Sequence, residues 1–309
     1  MIDTIPGIHH ITAIAADTQK SIDFYTRVLG LRLVKLTVNF DDPGTYHLYF
    51  GDDGGTPGSI LTFFPFAMAA PGRAGAGVVD TTTFLVPPDA LEGWIERLEG
   101  HGTLTRGPEE RFGQAFIAFS DPDGMKLEIA VADTGSGDAI LGFAGATLWS
   151  LAPDRTLRLL TDGFGYEVAG EEGGRIRLRA RSNAPVGTLI DVLTDAGEDR
   201  ARPGAGTVHH IAFRVPGDAE QEAWRSRLAG LGYDVTPVID RQYFHSIYFR
   251  ERGGILFEIA TDPPGFAVDE SPATLGTTLK LPARYEADRA RIEKRLPPVR
   301  LPGGQTVGG

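Results

Sequence analysis

A fourfold internal repeat is the feature of this 309-residue sequence that most limits the folds open to it. Each copy opens with a strand-like segment, continues into a segment of helical spacing that ends at a glycine, and closes with three strand-like runs. The opening strands include His10, Thr81, Thr147 and His210, and the closing strands follow Gly58, Gly124, Gly187 and Gly254. This pattern predicts an α+β protein built of four βαβββ modules.

The predicted helices show apolar residues three or four positions apart, as one buried helix face requires. Their spans are Ser21–Gly30, Leu91–Gly102, Thr156–Gly165 and Glu220–Gly232. In the last module, the three strands after the helix are predicted at Tyr233–Val238, His245–Arg250 and Ile255–Ala260.

A polar, glycine-rich segment, Asp133–Ile140, is typical of a linker between two halves of the chain. We therefore predict an N-terminal pair of modules within residues 1–135, at about 7–66 and 78–132. A C-terminal pair is predicted within residues 141–262, at about 143–195 and 207–262. Residues 263–309 lie outside the repeat and form a C-terminal extension with one predicted helix, Arg284–Leu296.

Composition narrows the possible functions. The apolar content of 41% and charged content of 23% are typical of a soluble globular protein. The absence of cysteine excludes disulfides, thiolate metal sites and cysteine nucleophiles. A net charge of -11 argues against nucleic acid or an anionic membrane as partner. No apolar run is long enough to span a membrane and no signal peptide is recognisable, so we expect a cytoplasmic protein.

Two His-His steps occupy the same place in the first and last modules: His9-His10 and His209-His210. Each module offers one position on its opening strand and one on its closing strand to a shared site. The opening positions are His10, Thr81, Thr147 and His210, and the closing positions are Thr62, Glu128, Asp191 and Glu258.

Different module pairings would collect different ligands from these positions. Modules 1 and 4 would combine His10, His210 and Glu258, two imidazoles and a carboxylate that can hold a divalent metal by one face. Thr62 would leave room beside them. Modules 3 and 4 would offer Asp191, His210 and Glu258 instead, whereas modules 2 and 3 would offer no imidazole. We prefer the first scheme, which predicts one metal between modules 1 and 4, with Glu128 and Asp191 hydrogen-bonded or solvated.

Five short segments carry a family resemblance: Gly7–Thr12, Tyr46–Phe50, Gly55–Gly58, Arg111–Gln114 and Leu275–Lys280. With them, the chain resembles the vicinal oxygen chelate superfamily of glyoxalases, bleomycin resistance proteins and extradiol dioxygenases. Within it, the chain looks like ring-cleaving dioxygenases of the hydroquinone 1,2-dioxygenase type. The resemblance implies cupped-sheet barrels around a metal, which would be Fe(II), with Mn(II) as the alternative. It also implies O₂ as co-substrate and a small aromatic diol as substrate. A homo-oligomer is compatible with it.

The resemblance also implies roles for residues around the metal. Arg241 and Tyr248 stand where the family has an arginine and a tyrosine, which would stabilise anionic ligand oxygens. His9 and His209 would lie behind the metal ligands, although strand alternation points His9 away from His10. Thr12 shares the face of His10. Phe244, Phe257 and Phe266 are expected to line the pocket, and the tail Phe266–Leu281 to act either as a lid or as cover for a sheet edge.

The leading hypothesis is an Fe(II)-dependent, extradiol-type dioxygenase that inserts both atoms of O₂ into an aromatic ring. A glyoxalase- or epimerase-like lyase or isomerase is the first alternative, and it needs a carboxylate free to act as general base. A non-catalytic protein that sequesters small molecules is the second. For His47 two roles are open, lining the pocket or a hydrogen-bonded structural role, and we prefer the second. His245 departs from the family pattern and is expected either to tune proton transfer or to face solvent.

Overall fold

The computed structural model describes residues 4–133, 135–196 and 199–309, and it contains four modules of strand, helix and three strands. Module 1 consists of β1 Ile8–Ala15, α1 Thr18–Asp23, β2 Arg32–Val38, β3 Tyr46–Gly51 and β4 Ile60–Pro65. Module 2 consists of β5 Val78–Val86, α2 Leu91–Gly100, β6 Arg106–Arg111, β7 Gln114–Ser120 and β8 Lys126–Val131. The α+β class and the repeat of βαβββ modules are confirmed.

Module 3 consists of β9 Gly142–Trp149, α3 Pro153–Arg158, β10 Glu167–Glu172, β11 Arg175–Arg179 and β12 Leu189–Leu193. Module 4 consists of β13 Thr207–Val215, α4 Asp218–Gly230, β14 Ile239–Asp240, β15 Phe244–Arg250 and β16 Leu256–Pro264. The extension holds 3₁₀ turns at Phe266–Val268, Pro272–Thr274 and Ala283–Asp288, then α5 Arg289–Arg295, β17 Val299–Arg300 and β18 Thr306–Val307.

Several boundaries differ from the sequence prediction. Helices α1 and α3 each continue as one π-helical turn, at Phe24–Val28 and Leu159–Gly163. The predicted strand Tyr233–Val238 is irregular, and the two-residue strand β14 begins only after it, at Ile239. Pro237 has no backbone N–H to donate to a neighbouring strand. The backbone N–H of Tyr248 donates to the Thr236 hydroxyl instead of to a backbone carbonyl. The predicted helix Arg284–Leu296 is a 3₁₀ turn followed by the shorter α5.

The strands form two curled eight-stranded sheets, each made of two modules that are not the pairs adjacent in sequence. One sheet has the order β14-β15-β16-β13-β1-β4-β3-β2 and joins module 1 to module 4. The other has the order β10-β11-β12-β9-β5-β8-β7-β6 and joins module 2 to module 3. In each sheet, the opening strands of the two modules pair antiparallel at the centre. The first sheet therefore places the two His-His steps on neighbouring strands.

The C-terminal extension covers the outer edge of module 1. Lys280 donates its backbone N–H to the Leu36 carbonyl at 2.9 Å, and Leu36 and Leu279 form a parallel bridge next to β2. The buried ammonium of Lys35 forms ion pairs with Asp269 and Glu270 of the extension. A covered edge strand cannot pair with another chain. Among the described residues, no helix is long and apolar enough to cross a membrane.

Candidate metal centre

Three neighbouring strands of the first sheet bring His10, His210 and Glu258 together. His10 lies on β1, His210 on β13 and Glu258 on β16, and all three side chains are buried. The Nε2 atoms of the two histidines are 3.3 Å apart. The Oε2 atom of Glu258 lies 3.3 Å from Nε2 of His10 and 2.9 Å from Nε2 of His210. Three potential ligand atoms therefore form a small triangle.

The size of this triangle matches one face of an octahedral metal site. Two ligand atoms that lie about 2.1 Å from a metal and about 90° apart are about 3.0 Å from each other. The three observed edges of 2.9 to 3.3 Å bracket that value. Two imidazoles and one carboxylate on a single face leave the other positions for small ligands.

The hydrogen bonds of Glu258 leave one oxygen for a cation. Its Oε1 atom accepts from the Ser246 hydroxyl at 2.5 Å. The buried Oε2 atom faces the two imidazole Nε2 atoms, and no contact to it among the described residues has the geometry of a hydrogen bond. Burial alone would raise the pKa of the Glu258 carboxyl, but His10 and His210 lower it well below its usual range. Burial lowers the pKa of His210, against the attraction of Glu258. An ionised carboxylate is the form in which Glu258 would bind a metal.

A second histidine backs each of the two candidate ligands. The Nδ1 atoms of His9 and His10 are 3.0 Å apart, and those of His209 and His210 are 2.7 Å apart. A histidine that binds a metal through Nε2 carries its proton on Nδ1, where a hydrogen bond fixes the tautomer. His9 and His209 would accept these protons as neutral imidazoles. Burial lowers the pKa of His9, and that of His209 to about 4.

Two β-bulges explain why adjacent histidines share one site. Along the β1–β13 pair the register shifts between Ile8 and His10, and again between Thr12 and Ala13. His9 is the extra residue of the first shift and His209 that of the second. A bulge turns the unpaired residue away from strict alternation. The bulge at His9 is the bend that strict alternation does not include, and it places Nδ1 of His9 3.0 Å from Nδ1 of His10.

A cavity of about 380 Å³ opens beside the triangle of ligand atoms. Its aromatic walls are Phe40, Tyr49, Phe64, Phe66, Phe244 and Tyr248. Polar groups of His10, Thr12, Asn39, His47, His209, His210 and Arg241 also face it. The size and the mainly apolar lining suit one small aromatic molecule.

Arg241 and Tyr248 form the polar wall contributed by module 4. Tyr248 lies opposite Glu258 in the ladder of β15 and β16, and its hydroxyl accepts from Nε of Arg241 at 3.2 Å. Nη1 of Arg241 also donates to Oδ2 of Asp41, from module 1, at 3.1 Å. Burial raises the pKa of Tyr248, so the phenol keeps its proton near neutral pH. The pair offers a cation and a hydroxyl on one side of the cavity.

Module 1 contributes a chain of hydrogen bonds on the other side. The hydroxyls of Thr12 and Thr62 are 2.8 Å apart, and Nε2 of His47 lies 2.9 Å from the Thr62 hydroxyl. Nδ1 of His47 lies 2.9 Å from the Tyr49 hydroxyl. Of the four opening- and closing-strand positions that modules 1 and 4 contribute, Thr62 is the one outside the triangle, and its small side chain leaves the space next to the triangle free.

The cup of modules 2 and 3 holds two ion pairs where the first cup holds the triangle. Arg111 binds both carboxylate oxygens of Glu128 at 3.0 Å. Arg177 binds both oxygens of Asp191 at 2.8 and 2.9 Å, and Arg175 reaches Asp191 at 3.3 Å. A pocket of only about 20 Å³ lies between Arg111, Arg177, Glu128 and Asp191, and a groove of about 880 Å³ opens on the other side of Arg111 and Glu128. Glu128 and Asp191 are hydrogen-bonded, and Asp191 lies in a different sheet from His210.

Three other sequence-predicted residues lie outside the cavity. The expectation for Phe257 is wrong because it neighbours Glu258 on β16 and faces the core, against Phe213 and Phe249. The expectation for Phe266 is wrong because its ring packs behind the wall, against Tyr49 and Tyr243. His245 contacts Asp218 at 2.6 Å, at the protein surface.

Sequence reasoning missed much of the cavity wall. Phe64 follows Thr62 by two residues on β4, so strand alternation could have identified it. Asn39, Phe40 and Asp41 lie in the loop after β2, where no periodic signal exists. The Phe40 carbonyl accepts from Tyr285 of the extension at 2.8 Å, so a distant segment positions this loop.

Comparison with known proteins reveals extensive similarity. The family model of the "Glyoxalase/Bleomycin resistance protein/Dioxygenase superfamily" matches residues 7–129 and 147–259, more than half of the chain. A Bacillus subtilis protein named "Putative ring-cleaving dioxygenase MhqO" is 51% identical over 307 residues, which cover 96% of this chain and 97% of that protein.

Three further similarities concern one relative with a named activity and two solved structures. The chlorohydroquinone/hydroquinone 1,2-dioxygenase of Sphingobium indicum is 34% identical over 315 residues, covering 95% of this chain and 97% of that protein. The crystal structure of a Bacillus subtilis protein described as a "putative dioxygenase" superposes with a TM-score of 0.92, at 49% identity over 97% of this chain and 98% of that one. Glyoxalase I from Zea mays shares the fold, with a TM-score of 0.64 at 14% identity over 83% of this chain and 92% of that one.

Proposed function

Because this chain belongs to the glyoxalase, bleomycin resistance protein and dioxygenase superfamily, we propose that it is a metal-dependent, ring-cleaving dioxygenase. The proposed substrate is a small aromatic diol of the hydroquinone type, with catechols as the alternative, and O₂ is the co-substrate. The single observation that supports this most is the triangle of His10, His210 and Glu258 atoms at the floor of an aromatic cavity. The 34% identical relative is named for a hydroquinone 1,2-dioxygenase activity.

His10, His210 and Glu258 are the proposed metal ligands, and Fe(II) is the proposed metal, with Mn(II) as the alternative. Neutral imidazoles and a carboxylate on one face suit either ion. When bound, the metal would supply Lewis acidity toward an aromatic hydroxyl and the one-electron chemistry that lets O₂ react. His9 and His209 are proposed to hold the Nδ1 protons of the ligand histidines, which orients both imidazole rings.

Arg241 and Tyr248 are proposed to bind anionic oxygens of the substrate and of later species. The Arg241 guanidinium is a permanent cation, and its Nε atom orients the Tyr248 hydroxyl. In a water-poor aromatic cavity, such preorganised donors stabilise negative charge far more than they would in bulk water. Thr12 is proposed to contact the substrate from the opposite wall, on the β1 face that it shares with His10.

We further propose extradiol-type cleavage, in which the broken bond joins a hydroxylated carbon to a ring carbon without a hydroxyl. Both oxygen atoms of O₂ enter the product in this reaction. In a hydroquinone, the two hydroxyls are para to each other, so only one of them can contact the metal. The other hydroxyl must be met by the cavity wall, which offers the polar groups of both modules.

The alternatives make different demands on the same cavity. A glyoxalase- or epimerase-like reaction needs a carboxylate as general base. The only carboxylates near the described cavity are Glu258, in the triangle, and Asp41, which is paired with Arg241. A sequestering protein would not need a triangle of ligand atoms with the dimensions of a metal site. The dioxygenase proposal gives a role to the triangle and to the Arg241–Tyr248 pair that line the same cavity.

Oxygen uptake tests the proposal. The protein should be loaded with Fe(II) in the absence of oxygen and assayed for bound iron. It should then be mixed with an O₂-saturated solution of hydroquinone, methylhydroquinone, chlorohydroquinone or catechol. We expect uptake of one O₂ per molecule of diol and incorporation of both labelled atoms from ¹⁸O₂ into the product. Glu128→Gln, in the other cup, is the matched control for Glu258→Gln, which should abolish uptake. No uptake by iron-loaded protein with any of the four diols would refute the proposal.

A further inference from the structure

His47 lies at the middle of a buried hydrogen-bonded chain that none of the roles above uses. The chain runs from Tyr49 through His47 and Thr62 to Thr12, with successive contacts of 2.9, 2.9 and 2.8 Å. Tyr49, Thr62 and Thr12 are at most 1% exposed. All four residues come from β1, β3 and β4 of module 1, and Thr12, His47 and Tyr49 line the cavity.

The Tyr49 end sets the direction of the hydrogen bonds. The Tyr49 hydroxyl has no other hydrogen-bond partner among the described residues. If it donates to Nδ1 of His47, its proton is satisfied by a strong acceptor. If His47 donates instead, the phenol proton is left buried without an acceptor, which is costly. The first direction is therefore the favoured one.

A neutral imidazole transmits this direction to the threonines. Burial lowers the pKa of His47 well below its usual range, so near neutral pH the ring carries one N–H. With Nδ1 accepting, that N–H is on Nε2 and donates to the Thr62 hydroxyl. Thr62 then donates to Thr12, because its hydroxyl proton has no other acceptor among the described residues. The hydroxyl proton of Thr12 remains, and Thr12 faces the cavity on the same side of β1 as His10.

We propose that His47 is a positioning residue that fixes the direction of this chain and thereby makes the Thr12 hydroxyl a hydrogen-bond donor to a hydroxyl oxygen of the bound aromatic diol. This inference deepens the proposed function and rests on it for the identity of the ligand. With the opposite direction, Thr12 would present only lone pairs to the ligand and would repel an oxygen that carries negative charge. The diol would thus be held between Thr12 on one wall and the Arg241–Tyr248 pair on the other.

The tautomer of His47 can be measured without turnover. The full chain should be labelled with ¹⁵N-histidine and loaded with diamagnetic Zn(II), and the His47 signals assigned by their loss in His47→Gln. We expect ring ¹⁵N shifts of a neutral imidazole protonated on Nε2. Protonation on Nδ1 would overturn the proposal. This measurement needs neither iron nor oxygen, so its result is independent of whether the dioxygenase assay succeeds.

The consequence for the ligand is tested by anaerobic binding. The dissociation constant of hydroquinone with Fe(II)-loaded protein should rise about tenfold in His47→Phe and in Thr62→Val, since each interrupts the chain. The double variant should lose no more than either single variant, because both act on one chain. His47→Gln should restore much of the affinity, because its amide N–H can replace the Nε2 donor to Thr62.

Controls separate positioning from damage to the fold. His245→Phe removes a histidine that contacts Asp218 at the surface and should leave the dissociation constant unchanged. Bound iron and the unfolding temperature are measured for every variant, and Thr62→Val serves if His47→Phe does not fold. Unchanged affinity in the folded variants, or losses that add in the double variant, would overturn the proposal. If hydroquinone does not bind even the unaltered protein, the proposed function fails, whereas the tautomer result still decides the direction of the chain.

Discussion

The bond from Ser246 to Glu258 should control how tightly the proposed site holds a metal. The Ser246 hydroxyl donates to Oε1 of Glu258 at 2.5 Å, and both side chains are fully buried. Ser246→Ala removes the only hydrogen bond described for that oxygen. The substitution frees only the volume of one hydroxyl group. A charge-assisted hydrogen bond contributes about 1.5–3 kcal/mol, and about 1.4 kcal/mol corresponds to a tenfold change in an equilibrium constant.

The expected result is a rise of about 10- to 100-fold in the dissociation constant of the metal, the range seen when groups behind a metal ligand are removed. The bond keeps the Glu258 carboxylate rotated so that Oε2 points at the two imidazoles. Without it, the metal must order the carboxylate as it binds. Anaerobic titration calorimetry with Fe(II), and with Mn(II) and Zn(II), measures the change.

Ser150→Ala is the matched control for this prediction. Ser150 is also buried and bonds the Thr156 hydroxyl at 2.7 Å, but it lies at the end of β9 in the other sheet. It should change stability without changing metal affinity. If Ser246→Ala binds metal as tightly as the unaltered protein, Glu258 is not held as a ligand in the way the geometry indicates.

Three further results are expected. His10→Ala should abolish metal binding, whereas Asp191→Ala should leave it intact because Asp191 lies in the other sheet; the opposite pattern in calorimetry would place the metal in modules 3 and 4. Burial lowers the pKa of His47 in the folded chain, so below about pH 6.5 the unfolded chain binds a proton at this residue that the folded chain does not. Through His47, the free energy of unfolding therefore decreases as the pH falls below about 6.5. In metal-free protein, urea unfolding at pH 5 and 7.5 should therefore show a weaker pH dependence for His47→Gln than for the unaltered chain, and an equal dependence would contradict this. Arg111→Met should lower the free energy of unfolding by about 3 kcal/mol, because it leaves the Glu128 carboxylate buried without its partner, and Arg111→Met with Glu128→Leu should recover most of the loss.

The sequence carried enough information for the fold class and for a short list of ligands. A repeat of strand, helix and three strands has few ways to bury its apolar faces, so periodicity alone predicted the modules. His10, His210 and Glu258 were selected because they stand at equivalent places in a repeat, and the folded chain brings their ligand atoms within 4.8 Å of one another. Glu258 was notable because a carboxylate in an apolar strand needs a partner.

Other features of the site depend on departures from regular strands. His9 and His209 reach the ligand histidines through bulges, and a bulge is a local shift of register that leaves no periodic trace in the sequence. Phe257 was the reverse case: simple alternation with Glu258 already placed it in the core, and the expectation that it lined the pocket ignored that rule.

What the sequence determined by itself is local and periodic: which segments form strands and helices, and which side chains recur at equivalent positions. The sequence favoured pairing module 1 with module 4 but left another pairing open, and tertiary structure decided between them. Tertiary structure alone decided that arginines pair with the carboxylates of the other cup and that an extension some 240 residues away orders the loop of Phe40. The physical reason is distance along the chain. Strand pairing, ion pairs and cavity walls join segments that are far apart in sequence, so only the folded chain reveals which of many compatible partners meet.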